Sequence, residues 1–204
     1  MDTYDGSKAE REYLPYDGSL RMRGTVFSAR EAARLYDRLI AEVRWSRDVV
    51  RLFGKRIVTQ REVAWFGDES FEYRYSNESR VAMVWTPLLS ALKDKVESVC
   101  GSRFNSVLLN FYHDGSEGMG WHSDDEKELG DEPLIASLSF GATRRFDMRH
   151  KKTGETVKVF LESGSLWVMS GASQERWKHQ APKQLKIKEG RVNLTFRQFE
   201  LGGG

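Results

Sequence analysis

Cysteine is all but missing from this chain. Cys100 stands alone, so no disulfide can form within it, which is consistent with a reducing compartment. Long apolar runs are missing too. None approaches the roughly 20 residues that a membrane-crossing helix needs, so no membrane span is expected. The opening residues, Met1-Asp2-Thr3-Tyr4-Asp5, lack a basic stretch followed by an apolar one, so no signal peptide is expected. No internal repeat and no low-complexity tract appears. Charge of one sign is also scarce: the net charge is only +2, which by itself makes no case for a polyanionic partner.

What is present suits one globular domain. The chain has 204 residues, 39% of them apolar and 12% aromatic, enough to build a core. The charges, though few in balance, are unevenly spread. Residues 114–132 carry Asp114, Glu117, Asp124, Asp125, Glu126, Glu128, Asp131 and Glu132 against Lys127 alone. Residues 141–160 carry Arg144, Arg145, Arg149, Lys151, Lys152 and Lys158 against Asp147 and Glu155. An acidic segment beside a basic one suits an enzyme that holds a phosphate backbone. Ordinary solvated charge is the alternative.

The spacing of apolar residues predicts a flexible arm over 1–20 and a helix from Ser28. There Ser28-Ala29-Arg30-Glu31 is a capping box, and Ala32, Leu35, Leu39, Ile40 and Val43 recur at helical spacing. Val49-Val50-Arg51-Leu52-Phe53-Gly54-Lys55 reads as a hairpin tip or turn. Phe71, Tyr73 and Tyr75 alternate and so share one strand face. Thr86-Pro87 opens a second helix with Leu88, Leu89, Leu92, Val96 and Val99 as its stripe, and Gly101 ends it. Strands are predicted over 104–112, 134–140, 156–161, 165–169 and 191–197. Short strands with turns between them and two early helices predict a mainly β fold with flanking helices (α+β), a jelly-roll barrel.

The stretch with the most chemistry is Met119-Gly120-Trp121-His122-Ser123-Asp124-Asp125-Glu126. In an extended segment, His122 and Asp124 point to the same face. One imidazole nitrogen and one carboxylate oxygen can then grip one metal ion. Two histidines and one carboxylate, with open positions left over, suit non-haem Fe(II). The remaining histidines are His113, His150 and His179. His179, in Trp177-Lys178-His179-Gln180-Ala181-Pro182, is the best third ligand. Downstream, Arg191-Val192-Asn193-Leu194-Thr195-Phe196-Arg197 alternates strictly. It places Arg191, Asn193, Thr195 and Arg197 on one face, with Val192, Leu194 and Phe196 on the core side. Either this is a solvated edge strand with its basic side outward, or the two arginines clamp a small dicarboxylate beside the metal.

Together, His122-x-Asp124, His179 and Arg191-x-Asn193-x-Thr195-x-Arg197 resemble the AlkB family of Fe(II)/2-oxoglutarate-dependent dioxygenases, over roughly residues 25–200. The resemblance implies a double-stranded β-helix core over 101–200. It also implies helices plus a nucleotide-recognition lid over 21–100, and a tail over 201–204, with 21–200 one compact domain. His122, Asp124 and His179 would hold Fe(II). Arg191 would pair with the distal carboxylate of 2-oxoglutarate, with Tyr112 assisting, and Asn110, Asn193 and Arg197 would complete the cosubstrate pocket. O2 is the second cosubstrate. Phe53 matches the apolar finger of the duplex-DNA-repairing branch, where an aromatic ring fills the stack vacated by a flipped base. Tyr73, Tyr75 and Glu126 would contact the flipped base together with His122, and Arg61 would meet a phosphate or a base edge. The implied function is oxidative demethylation of N-alkylated nucleobases in DNA, by hydroxylation of the alkyl group and release of an aldehyde. The implied partner is alkylated DNA, duplex or single-stranded, with RNA as an alternative. A monomer is expected, in the cytoplasm of a bacterium or the nucleus of a eukaryote. Three rivals remain: the same chemistry on RNA, protein or a small molecule; a non-catalytic nucleic-acid-binding module that has kept the fold; and a cupin-like structural metal protein, which would have no need of Arg191 and Arg197.

Overall fold

A computed structural model describes residues 11–52, 55–68, 72–75 and 78–200, with side chains outside 48–57 and 72–81. The first elements in chain order are β1 (Ser19–Thr25), α1 (Ala29–Glu42), β2 (Ser46–Leu52), β3 (Lys55–Gly67), β4 (Glu72–Tyr75), β5 (Glu78–Val81) and β6 (Met83–Val84). Next come α2 (Pro87–Cys100), β7 (Ser106–Tyr112), β8 (Met119–His122), β9 (Ile135–Gly141) and β10 (Arg144–His150). The chain closes with β11 (Thr156–Leu161), β12 (Ser165–Ser170), α3 (Ser173–Arg176), β13 (Trp177–Ala181) and β14 (Arg191–Arg197).

The helices start and stop where side-chain chemistry dictates. The Ser28 hydroxyl accepts from the Glu31 N–H at 3.3 Å, and the Glu31 carboxylate accepts from the Ser28 N–H at 3.0 Å. That reciprocal pair satisfies donors which the first turn of α1 leaves orphaned. Thr86 caps α2 through the Leu89 N–H, and Pro87 occupies its first turn, where no N–H is needed. Gly101, at φ 67°, takes the left-handed conformation that ends it.

The strands form two facing sheets. The larger runs β1-β12-β9-β14-β7-β3-β2, with β6 beside β3. The smaller runs β11-β10-β13-β8, and β4 and β5 form a separate hairpin. The two-residue period of each strand sorts its side chains. Val107, Leu109, Leu138, Val192, Leu194 and Phe196 leave the outer face of the larger sheet and pack with Leu39, Leu89, Leu92 and Val96 of the helices. Truncating one of these buried leucines to alanine costs about 2–5 kcal/mol. Ile135, Trp167 and Met169 point the other way and meet Met148, Val159, Leu161 and Trp177 between the sheets. This is the jelly roll that the spacing predicts. β14 is not an edge strand: it pairs with β7 on one side and β9 on the other.

The arm expected over 1–20 differs from the structure from residue 11 on. Leu14 and Leu20 are buried in the core between the sheets, and Tyr13 packs on Trp167 at 4.9 Å. The cause is Glu12. Its carboxylate accepts from the N–H groups of Tyr13, Leu14 and Leu20, from the Ser19 hydroxyl and from Arg21. This polar-looking segment thereby gains a folded turn that leads into β1. The predicted hairpin at 49–55 is present as β2 paired with β3 down to Leu52 and Lys55. Phe53 and Gly54, which join the two strands, lie outside the described residues, as does Phe71.

Candidate active site

The cavity opens between the two sheets, and the strand registers build it. On β14, Arg191 sits across from Tyr112 and Asn193 from Asn110, both on β7. On its other side Asn193 faces Ser139, and Thr195 faces Ser137, both on β9. Every second residue of these central strands therefore enters one interior. The smaller sheet supplies the opposite wall. There His122 of β8 and His179 of β13 are directly paired, which brings their rings to 4.1 Å. Asp124 follows β8 by two residues and is buried. Its Oδ1 lies 3.7 Å from His122 Nε2 and 4.0 Å from His179 Nε2. The three donor atoms all lie within 4.8 Å of one another.

The protonation states suit a metal. His122 Nδ1 lies 2.9 Å from the Gly120 carbonyl oxygen. A carbonyl can only accept, so Nδ1 is the donor there and Nε2 is the nitrogen that faces the cluster. Burial pushes His179 down to about 3, with His122 adding to the effect and Asp124 opposing it, so this imidazole is neutral. Burial alone would raise the Asp124 carboxyl. The Arg197 guanidinium, through its charge and its hydrogen bond, more than reverses this and holds the carboxyl well below the usual carboxylate range. Two imidazoles and one carboxylate, turned toward one point, are the donor set that a divalent ion takes.

The two arginines of β14 do different jobs. Arg197 donates to Asp124 Oδ2 through Nη2 at 2.7 Å and through Nε at 3.3 Å. Its guanidinium thus engages the oxygen that the histidines leave free. One of the two arginines thus fastens the carboxylate of Asp124 itself while also lining the cavity. Arg191 is 2% exposed, and no carboxylate contacts it among the described residues. Its Nη2 donates to the Ser139 hydroxyl at 2.9 Å, its Nε has no hydrogen-bond partner among the described residues, and its guanidinium lies 5.6 Å from the centre of the Tyr112 ring. Burial pushes it down to about 10, against a favourable contribution from Tyr112 and with Arg144 adding to the fall. A buried cation lacking an anion invites one.

Asn110, Tyr112, Glu126 and Asn193 also line the cavity. Asn193 spends its amide on the wall: it donates to the Ser137 hydroxyl and the Leu138 carbonyl. Arg61 shares a face of β3 with Trp65, is 5% exposed, and lies 6.0 Å from the Tyr112 ring centre. Tyr73 and Tyr75 fall on β4, where Tyr73 pairs with Arg80 and Tyr75 with Glu78; their side chains lie outside the described ones.

Sequence reasoning missed several contributors. Ser137 and Ser139 are legible in the alternation of 134–140, where the small polar residues fall on the cavity face. Arg144 is 1% exposed and donates to the carbonyls of Asp114, Glu117 and Pro182, tying together the two loops beside the site. Gln174 accepts from the Asp124 N–H at 2.9 Å. Neither role leaves a mark in local spacing.

Residues 19–197 match the family model of the 2OG-Fe(II) oxygenase superfamily. The rat protein named alpha-ketoglutarate-dependent dioxygenase alkB homolog 3 is 42% identical over 184 residues, which are 82% of this chain and 60% of the rat protein. The human protein named DNA oxidative demethylase ALKBH2 is 37% identical over 187 residues, 86% of this chain and 72% of the human one. The solved structure of OsALKBH1 superposes with a TM-score of 0.63 at 17% identity, covering 92% of this chain and 99% of that one, and bears on the fold alone. The chain belongs to the 2OG-Fe(II) oxygenase superfamily and, within it, to the AlkB family. It spans about 60% of the length of the alkB homolog 3 proteins it matches. The family's cofactors are Fe(II) and 2-oxoglutarate, with O2, and the donor set at His122, Asp124 and His179 fits the metal. Among the described residues no helix is long and apolar enough to cross a membrane.

Proposed function

We propose that this protein removes alkyl groups from nucleobases in DNA by Fe(II)- and 2-oxoglutarate-dependent oxidation. The observation that carries the reading is the buried Arg191, which has no carboxylate partner among the described residues. It stands in one cavity with the imidazoles and carboxylate of His122, Asp124 and His179. When bound, the metal and 2-oxoglutarate supply the oxidation: the 2-oxo acid is converted to succinate and CO2, and one atom of O2 goes to a carbon of the substrate.

The chain's own residues do the rest. His122, Asp124 and His179 would hold the metal, with Asp124 turned by Arg197 so that Oδ1 faces the histidines. Arg191 would take the distal carboxylate of 2-oxoglutarate, bidentately, over the face of Tyr112. Asn110 and Asn193 would shape the floor on which that molecule lies. Water is held back by apolar neighbours such as Leu108, Phe146 and Met169. The half-buried His122 ring and the Glu126 carboxylate face the same cavity, where a cationic methylated base would be favoured by the negative charge. A base can reach that depth only by leaving the helix. Hydroxylation of its N-alkyl carbon gives a hemiaminal that collapses to an aldehyde and the repaired base.

The name of the ALKBH2 relatives, DNA oxidative demethylase, supports DNA as the partner. We place the protein inside the cell, wherever DNA is held, acting as a monomer. The test is anaerobic reconstitution with Fe(II) and 2-oxoglutarate, admission of O2, and mass spectrometry of methylated oligonucleotides. The expected result is loss of one methyl group per succinate formed. Succinate without any demethylated oligonucleotide would overturn the substrate assignment.

A further inference from the structure

We propose that Gln174 is a positioning residue for the metal site, holding the backbone of Asp124 so that its Oδ1 meets the two histidines; this rests on reading Asp124 as a metal ligand. The ladder between β8 and β13 ends at the pair His122–His179. Beyond it the chain leaves the sheet, and the Asp124 N–H enters a buried region with no strand partner. A buried N–H must find an acceptor. It finds the Gln174 Oε1 at 2.9 Å, from a side chain that is itself 2% exposed.

The amide is oriented for this. Its Nε2 donates to the Ser173 hydroxyl at 3.3 Å and approaches Met169 Sδ at 3.5 Å, which leaves the oxygen facing Asp124. The helical turn that carries it is fastened from two sides. Lys151 donates to the Gln174 carbonyl at 2.9 Å and, through its backbone, to the Arg176 carbonyl at 2.8 Å. Gly18 lies so close to Ser173 that an added Cβ would stand 2.7 Å from the Ser173 Cα.

Asp124 is therefore held at two levels. Arg197 sets the rotation of the carboxylate through Oδ2, and Gln174 sets the height of the backbone beneath it. A ligand on a loop just past a strand end has only such contacts to fix it. Loss of a partner that orients a ligand typically weakens metal affinity by about 10–100-fold.

Mn(II) alone, titrated into metal-free full-length protein and read by the EPR signal of the free ion, tests this without turnover. Gln174→Met keeps nearly the same volume but removes the acceptor, and Gln174→Asn withdraws it by one methylene. Both are expected to bind Mn(II) at least about 10-fold more weakly. Gln174→Glu keeps an acceptor in place and is expected to restore binding toward that of the unsubstituted protein. Asp124→Ala is the control. If it weakens Mn(II) binding while both Gln174→Met and Gln174→Asn leave it unchanged, with only the melting temperature lowered, Gln174 is a packing residue and the proposal fails. If Asp124→Ala itself leaves Mn(II) binding unchanged, the ligand reading fails and takes the proposal with it.

Discussion

Replacing Arg191 with methionine should make the metal-free protein more stable and the enzyme worse. The guanidinium is buried, bonds to Ser139 through one nitrogen, and has no carboxylate against it among the described residues. Burial brings it from 12.5 down to about 10, and each pH unit corresponds to ~1.4 kcal/mol. Holding this charge in the interior thus costs about 3 kcal/mol. Methionine fills similar space without a charge. It forfeits the bond to Ser139, worth about 1 kcal/mol, and the contact with the Tyr112 ring, worth about another. The net gain is about 1 kcal/mol, which in a domain of this size raises the melting temperature by about 2–4 °C. The same change should cost about 2–5 kcal/mol in 2-oxoglutarate binding, since a buried carboxylate loses its bidentate partner. The KM for 2-oxoglutarate should rise by at least about 30-fold while the KM for the oligonucleotide moves little. Differential scanning fluorimetry without ligand and succinate formation across a 2-oxoglutarate series measure the two sides. A lower melting temperature with an unchanged 2-oxoglutarate KM would refute the reasoning, because Arg191 would then be a structural cation already satisfied by the protein.

Asp124→Ala should abolish turnover and Mn(II) binding. It should also destabilise the protein by about 1.5–3 kcal/mol, because the half-buried Arg197 guanidinium loses two charge-assisted hydrogen bonds, and thermal melting reads that loss directly. Phe53→Ala should slow repair of methylated duplex DNA far more than repair of single strands, at an unchanged melting temperature; an unchanged duplex-to-single-strand ratio with a lowered melting temperature would make Phe53 a core residue instead. Glu12 offers a pH test: burial raises its carboxyl, but the bonds from Ser19, Leu20, Leu14 and Arg21 outweigh this and hold it below the ordinary 4.5. A depressed carboxyl contributes stability above its unfolded value and loses it as pH falls through the folded one. The melting-temperature gap between the unsubstituted protein and Glu12→Gln should therefore be full at neutral pH and shrink below about 4.5. A gap that stays constant down to pH 3 would mean that the carboxylate's charge plays no part in fastening the segment.

The sequence by itself determined whatever is written in short-range spacing. Ser28 and Glu31 start a helix because a hydroxyl and a carboxylate stand three positions apart. Gly101 ends another because only glycine takes its φ cheaply. The strict alternation of 191–197 determined that two arginines share a face with Asn193 and Thr195, and His122-x-Asp124 determined that two donors share another. What alternation cannot say is which neighbour stands across the sheet. Only the tertiary structure decided that β14 lies between β7 and β9, which turned its basic face inward instead of toward solvent. Only the pairing of β8 with β13 brought His179 to His122 across 57 positions of chain. The division of labour between the arginines was likewise invisible in sequence, since Arg191 and Arg197 occupy equivalent positions in one pattern. Arg197 falls beside Asp124, and Arg191 falls where no carboxylate stands among the described residues. The segment from Glu12 to Leu20 was misread because one carboxylate collecting five donors leaves no periodic trace. Long-range partners are chosen by the packing of whole sheets, and that choice is made by the sum of many contacts rather than by any local motif.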